Sequence, residues 1–147
     1  FYNASKRIIR TNDITDEVEA FLFDYWSTLC QYVQPWQELE QHEISKVDLR
    51  EQYIVTQSVI IQVFGRLGNA LLKTKKTTLA KTLKPLASID WHRDAPVWQG
   101  RTIRANGRVI NNEEAIILTC NVLKQELGIP LDDQESKKER AFAHKVD

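Results

Sequence analysis

Apolar residues recur at spacings of three and four along much of this chain, a pattern typical of amphipathic α-helices. The clearest run extends from Ile14 to Val33, and Pro35 follows shortly after it. Thr15 is a suitable N-cap, and the acidic residues of the next turn complement the helix dipole. The pattern therefore predicts a helix that begins after Thr15 and ends before Pro35.

The middle of the chain predicts a longer and more buried helix. Residues 45–48 match a capping box, with flanking apolar residues in the arrangement of a hydrophobic staple. From Tyr53 to Leu67 the apolar residues lie on most faces, so we expect this helix at the centre of the fold. Gly65 and Gly68 then either admit a neighbour at close range or bend the helix.

Shorter signals complete the predicted fold. A short helix is predicted over residues 78–83, and a last amphipathic helix runs from a cap at residues 111–114 to Gly128. Asn106-Gly107 lies between two short alternating runs, which is typical of a tight hairpin. We predict a mainly α fold of about four helices, with a small β-hairpin or loop near residues 101–110.

The predicted organisation is one helical domain over residues 15–131. Residues 1–14 have no clear period, and we expect them to be the tail of a missing N-terminal region. Residues 132–147 are expected to form a charged tail that is frayed or helical at low stability. The chain contains no methionine, even at position 1, so we expect it to be a fragment of a longer protein.

The net charge is zero, but the charges are unevenly distributed along the chain. Residues 1–43 carry a net charge of −5, residues 44–110 carry +8, and residues 111–147 carry −3. A basic middle between acidic flanks indicates either a polyanionic partner or charge pairing between segments inside the fold.

Catalytic and metal-binding signals are weak. The three histidines do not pair at helical spacing, so we predict no metal and no cofactor. Cys30 and Cys120 are far apart, and we expect two buried thiols in a cytoplasmic protein. His92 beside Asp90 and Asp94 is the one place for a general base, although Asp90 alternatively caps the local turn. We therefore predict no catalytic residue in this chain.

Residues 89–110 combine arginines with two tryptophans, in a stretch too broken by proline and glycine for one helix. Guanidinium groups suit phosphates, and exposed tryptophans stack on bases. The candidate DNA-binding residues, including lysines just before this stretch, are Lys73, Lys75, Lys76, Arg93, Arg101, Arg104 and Arg108. The alternative is a solvated basic face on a structural loop, held by Asp90, Trp91, Trp98 and Gly100.

A series of short motifs resembles the C-terminal half of DGQHR-domain proteins, whose best-known members are the DndB proteins of bacterial DNA sulfur modification. The motifs are Tyr25-Trp26, Pro35-Trp36, Leu49–Tyr53, Phe64–Gly68, Ile89–Arg93, Trp98–Arg101, Gly107–Ile110, Ile117–Asn121 and Leu127–Leu131. They follow the family order over about residues 20–131. His92 and Ala95-Pro96 depart from the family pattern, which indicates a divergent member.

The resemblance implies a role connected with DNA, without defining a site. DndB regulates transcription of the gene cluster for DNA phosphorothioation, and its homologues occur in bacterial defence islands. The Asp-Gly-Gln-His-Arg motif, from a region similar to the ParB and sulfiredoxin fold, is absent here, so any family chemistry is expected in the missing N-terminal region. Arg93, Arg101 and Arg108 match recurring family arginines, which are explained equally by DNA contacts or by buried ion pairs.

The resulting hypothesis is a DNA-binding, DndB-like transcriptional regulator. Its expected partner is DNA, with other proteins of the sulfur modification system as further candidates, and no membrane. One alternative is a ParB-like or sulfiredoxin-like nucleotide hydrolase or nuclease of a defence system, with its catalytic motif outside this chain. Another is a protein-interaction or dimerisation scaffold, so a homo-oligomer stays open.

Overall fold

The computed structural model describes residues 2–10, 15–74 and 78–146, and eight α-helices lie within these ranges. They are α1 (Tyr2–Ile9), α2 (Asp16–Tyr32), α3 (Gln34–Glu40), α4 (Lys46–Gln52), α5 (Ser58–Thr74), α6 (Leu79–Leu83), α7 (Glu113–Leu127) and α8 (Asp133–Val146). Short 3₁₀ helices lie at Lys84–Ser88 and Pro96–Trp98. The mainly α class is confirmed, but the number of helices was underestimated because several are too short to show a full hydrophobic period. Within the described ranges, none of these helices is both long enough and apolar enough to cross a membrane.

The predicted helix ends that depend on local capping are confirmed. The Thr15 hydroxyl accepts a hydrogen bond from the Val18 N–H at 3.2 Å and starts α2. The Asn112 side chain accepts one from the Ala115 N–H at 2.8 Å and starts α7. At the other end of α7, Gly128 has a left-handed backbone with φ of 71°, as expected of a C-terminal glycine.

The prediction of one continuous central helix is wrong, because the helix is interrupted. Ser45 of the expected capping box starts α4 by accepting a hydrogen bond from the Asp48 N–H, but that helix ends at Gln52 and α5 begins only at Ser58. The interruption is stabilised by a distant segment, since the Ile54 N–H donates to the Trp91 carbonyl at 3.1 Å and the Arg93 N–H donates to the Gln52 carbonyl at 2.8 Å. These tertiary hydrogen bonds replace those that would continue the helix.

Helix α5 lies at the centre of the core, with α1 and α7 packed against it. A Cβ atom at Gly65 would lie 2.9 Å from the Ala4 carbonyl oxygen, and one at Gly68 would lie 2.8 Å from Ile8 Cγ1. The glycines therefore permit close approach of α1, which was one of the two predicted roles. The same contacts place α1 and α5 in the same direction, and Asn69 Nδ2 donates to the Ile8 carbonyl at 2.8 Å.

Both ends of the chain take part in the packed structure. Residues that showed no clear period form α1, in which Ala4 and Ile8 are buried. The charged tail after residue 131, expected to be frayed or helical at low stability, contains the helix α8, which lies against α7 with Glu135 fully buried. Its low stability stays a prediction. Residues 11–14 lie outside the described ranges, and the expectation that residues 1–14 continue a further N-terminal region stays a prediction.

Of the two structures expected near residues 101–110, the loop forms and the hairpin does not. In the described residues of this stretch, Ile103 and Val109 share only an isolated antiparallel bridge. The Thr102 and Ile103 N–H groups donate instead to the Trp98 carbonyl, at 3.0 and 3.1 Å. The turn after Trp98 thus uses backbone N–H groups that a strand pair would need for its own hydrogen bonds. Gly107, with φ of 82°, still makes the predicted tight turn.

The two cysteines differ in their surroundings. Cys120 is buried in the core, and burial raises the pKa of its thiol to about 12 because the thiolate is poorly solvated there. Cys30 is exposed on α2, so the expectation that both thiols are buried is wrong for this residue. Among the described residues, no group of three histidine, cysteine or acidic side chains could hold a metal ion.

Candidate nucleic-acid interface

The predicted DNA-binding residues that the structure describes do not form one surface. Lys73 lies in the last turn of α5, whereas the Arg93 N–H is hydrogen-bonded to Gln52, shortly before α5 begins. Because a helix of 17 residues is about 25 Å long, these two regions are well separated. Lys75 and Lys76 lie outside the described residues.

Two of the predicted arginines, Arg93 and Arg104, line a cleft of about 500 Å³ beside the loop. Glu51 and Asp94 line the same cleft and offset both positive charges. Arg93 is half-buried, its Nε has no hydrogen-bond partner among the described residues, and its Nη2 lies 3.5 Å from the Arg50 carbonyl oxygen. The cleft is therefore polar and of mixed charge rather than basic.

His92, the one candidate general base, contacts Asp90 at the edge of this cleft. Its Nδ1 lies 2.6 Å from Asp90 Oδ1, and its backbone N–H donates to the same oxygen at 3.0 Å. These two hydrogen bonds, the backbone one first, lower the pKa of Asp90. Both side chains are about half exposed, and the histidine ring packs 4.4 Å from the Tyr53 ring. The arrangement is a capped, solvated turn, as the alternative interpretation of Asp90 proposed.

Arg101 is engaged inside the protein rather than presented to solvent. Its guanidinium pairs with both carboxylate oxygens of Glu139 on α8, with Nη2 and Oε2 3.0 Å apart, and it donates to the Leu118 carbonyl at 3.1 Å. The same group lies 4.3 Å from the centre of the Phe142 ring, next to Gly100. By contrast, Arg108 is exposed beside the Gly107 turn.

The two tryptophans of the loop lie in the core. Trp91 and Trp98 are 2% and 0% exposed, and their rings stack with centres 5.5 Å apart. Trp98 Nε1 donates to the Asp90 carbonyl at 2.8 Å, which joins the start of the loop to its middle. Since neither ring faces solvent, neither can stack on a nucleic-acid base in this conformation.

A basic concave surface lies at the other end of α5, and we call it the basic groove. This groove of about 500 Å³ contains four cationic side chains, from the end of α1, from α5 and from α7: Arg10, Arg66, Lys73 and Lys124. Among the described residues, Asp132 is the one acidic residue that lines it. Arg10 and Lys73 are exposed and make no ion pair with a described residue.

The inner wall of the basic groove is partly neutralised by Glu135 of α8. Lys124 Nζ lies 2.9 and 2.8 Å from its two carboxylate oxygens, and Arg66 Nη2 lies 3.0 Å from one of them. Burial alone would raise the pKa of Glu135, but the hydrogen bonds from Lys124, the Asp132 N–H and Arg66 outweigh it and lower the pKa. Glu135 therefore stays a carboxylate, while Arg10 and Lys73 remain open to an anion.

Sequence reasoning missed three of the four groove cations. Arg66, Asn69 and Lys73 are spaced by three and four in an otherwise apolar helix, so they form a polar face that the sequence already contains. This polar face was not predicted, because the helix was expected to be buried on most sides. Arg10 and Lys124 lie far away in sequence, and only the parallel packing of α1 and α7 on α5 brings them to the same end.

The comparison with known protein families shows to which family the chain is related. The family model DndB, described as DNA-sulfur modification-associated, matches residues 1–130. The chain belongs to the DndB family. All four cations of the basic groove lie within the matched residues, and α8 follows directly after them. No curated protein and no solved structure matches this chain.

Proposed function

We propose that this DndB-family protein binds duplex DNA through the basic groove and regulates transcription of the genes for DNA sulfur modification. Membership of the family supports the connection with sulfur modification. The observation that carries the DNA contact is the convergence of Arg10, Arg66, Lys73 and Lys124 in one concave surface. Regulation follows the resemblance to DndB proteins described above.

The groove suits a phosphate backbone in both charge and exposure. Arg10 and Lys73 are exposed cations without an acidic partner among the described residues, so they are available to replace counterions on DNA. The mixed cleft at Arg93 and Arg104 is the weaker candidate because two carboxylates offset its charge. The proposed binding mode is therefore electrostatic, with phosphate contacts from the groove.

The test is fluorescence anisotropy with a labelled duplex, measured over 50 to 200 mM salt. Arg10→Gln combined with Lys73→Gln removes two exposed charges without disturbing a buried group. We expect affinity to fall roughly 10-fold or more, and the slope of log affinity against log salt to become shallower by about 2.

A matched control removes two exposed charges from the loop, by Arg104→Gln combined with Arg108→Gln. This variant should keep the affinity and the salt slope of the parent chain. Loss of binding in the loop variant, with the groove variant unaffected, would place the DNA surface on the loop and overturn the role of the groove. Salt-insensitive binding by the parent chain would contradict the electrostatic mode itself.

Transcriptional regulation needs its own assay. A reporter fused to the promoter of the modification genes should respond to the parent protein and lose that response in the Arg10→Gln, Lys73→Gln variant. We also propose that this chain corresponds to the C-terminal half of a DGQHR-domain protein, as the order of its motifs indicates. The coding sequence upstream of residue 1 tests this directly, since it should encode Asp-Gly-Gln-His-Arg.

A further inference from the structure

Two carboxylates of α8 form ion pairs with three cationic side chains. All three cations lie within the residues that match the DndB family model. Glu135 is 0% exposed and holds both Lys124 and Arg66 at 2.8 to 3.0 Å. Glu139, one turn later, holds Arg101 and accepts a hydrogen bond from Asn121 Nδ2 at 3.2 Å. The acidic side of α8 thus follows a row of positive charges across α5, α7 and the loop.

The attachment of α8 depends mainly on these charges. Among the described side chains of α8, none is part of the hydrophobic core or of the apolar residues packed against it, and Glu135 is the one that is buried. Phe142 is half-buried and contacts the Arg101 guanidinium and Gly100. A helix held mainly by ion pairs is open to competition by another polyanion, because an anion can replace ion pairs but cannot replace apolar burial.

Carboxylates and phosphates bind these cations in the same way. Arginine forms parallel pairs of hydrogen bonds with either group, and Arg101 already makes such a pair with Glu139. Arg66 and Lys124 also line the basic groove, so α8 covers the inner wall of the surface to which we assign DNA binding.

We propose that α8 occupies phosphate-binding positions of the DNA surface, and that duplex DNA displaces it to contact Arg66, Arg101 and Lys124. This inference rests on the proposed function and adds its regulation, since α8 then lowers DNA affinity until it is displaced. It also reconciles the internal position of Arg101 with a role in DNA contact.

The test compares variants of α8 in which neutral glutamine replaces a glutamate with a control variant that loses the same charge elsewhere. Glu139→Gln keeps the shape of the side chain and weakens the hold on Arg101, while Glu126→Gln removes an exposed carboxylate that makes no ion pair with a described residue. We expect Glu139→Gln to bind duplex DNA roughly 3- to 10-fold more tightly than Glu126→Gln, with a salt slope steeper by about 1. The double variant Glu135→Gln, Glu139→Gln should extend both changes.

Hydrogen exchange gives a second readout on the parent chain. Amides of residues 133–146 should exchange faster when duplex DNA is added, while those of α5 should not. Unchanged exchange in α8, with Glu139→Gln and Glu126→Gln binding equally, would overturn the inference and leave the proposed function intact. If neither the parent chain nor any variant binds DNA, both proposals fail together.

Discussion

The buried carboxylate of Glu135 makes a sharp test of how α8 is attached. The perturbation is Glu135→Ala, which leaves Lys124 and Arg66 without their shared partner while both remain largely buried, at 9% and 14% exposed. Removing one member of a buried ion pair typically costs about 3–5 kcal/mol, because the remaining charge is neither paired nor hydrated. For a chain of this size that corresponds to a fall in Tm of about 6–20 °C.

Two further variants serve as references for this loss of stability. Glu139→Ala breaks a pair in which Arg101 and Glu139 are 13% and 17% exposed, so we expect a smaller loss of about 1–3 kcal/mol. Glu126→Ala removes an exposed carboxylate and should change stability by less than about 0.5 kcal/mol. Thermal and urea unfolding, followed by circular dichroism, give all three values. The reasoning is refuted if Glu135→Ala is no less stable than Glu126→Ala, since the buried network would then not hold α8.

Two other predictions test the packing and the electrostatics. Gly65→Ala would bring its Cβ to within 2.9 Å of the Ala4 backbone oxygen, which cannot rotate away. We expect a net loss of about 1–2 kcal/mol in urea unfolding after the gain in helix propensity, whereas a more stable variant would contradict the close approach of α1. The pKa of Glu135 is lowered from its usual 4.5, so its contribution to stability is present above pH 4.5 and is lost as the pH falls through the lower folded value. Urea unfolding at pH 7, 4.5 and 3 should show this decline, and Glu135→Gln should decline less; identical pH profiles would exclude the carboxylate as its source.

The candidate site was predicted only in part, for a geometric reason. Lys73 was identified from the run of lysines that begins in the last turn of α5, and it does lie in the basic groove. Arg101 was identified with it, but Arg101 does not line this groove and is paired with Glu139. Sequence shows where cations are dense, but a phosphate surface depends on which cations share a face and which already have a carboxylate partner. Both conditions involve residues far apart in the chain.

The sequence by itself determined the features that depend on near neighbours. Thr15 and Asn112 cap their helices through N–H groups three residues away, so the sequence alone is enough to place α2 and α7. Tertiary structure decided the break before α5, where Trp91 and Arg93 bond to the backbone near residue 53, and the attachment of α8. Arg66 and Glu135 are separated by 69 residues, and no local pattern connects them. Their pairing exists only because packing on α5 brings distant charges into one low-dielectric place, where each must find a partner.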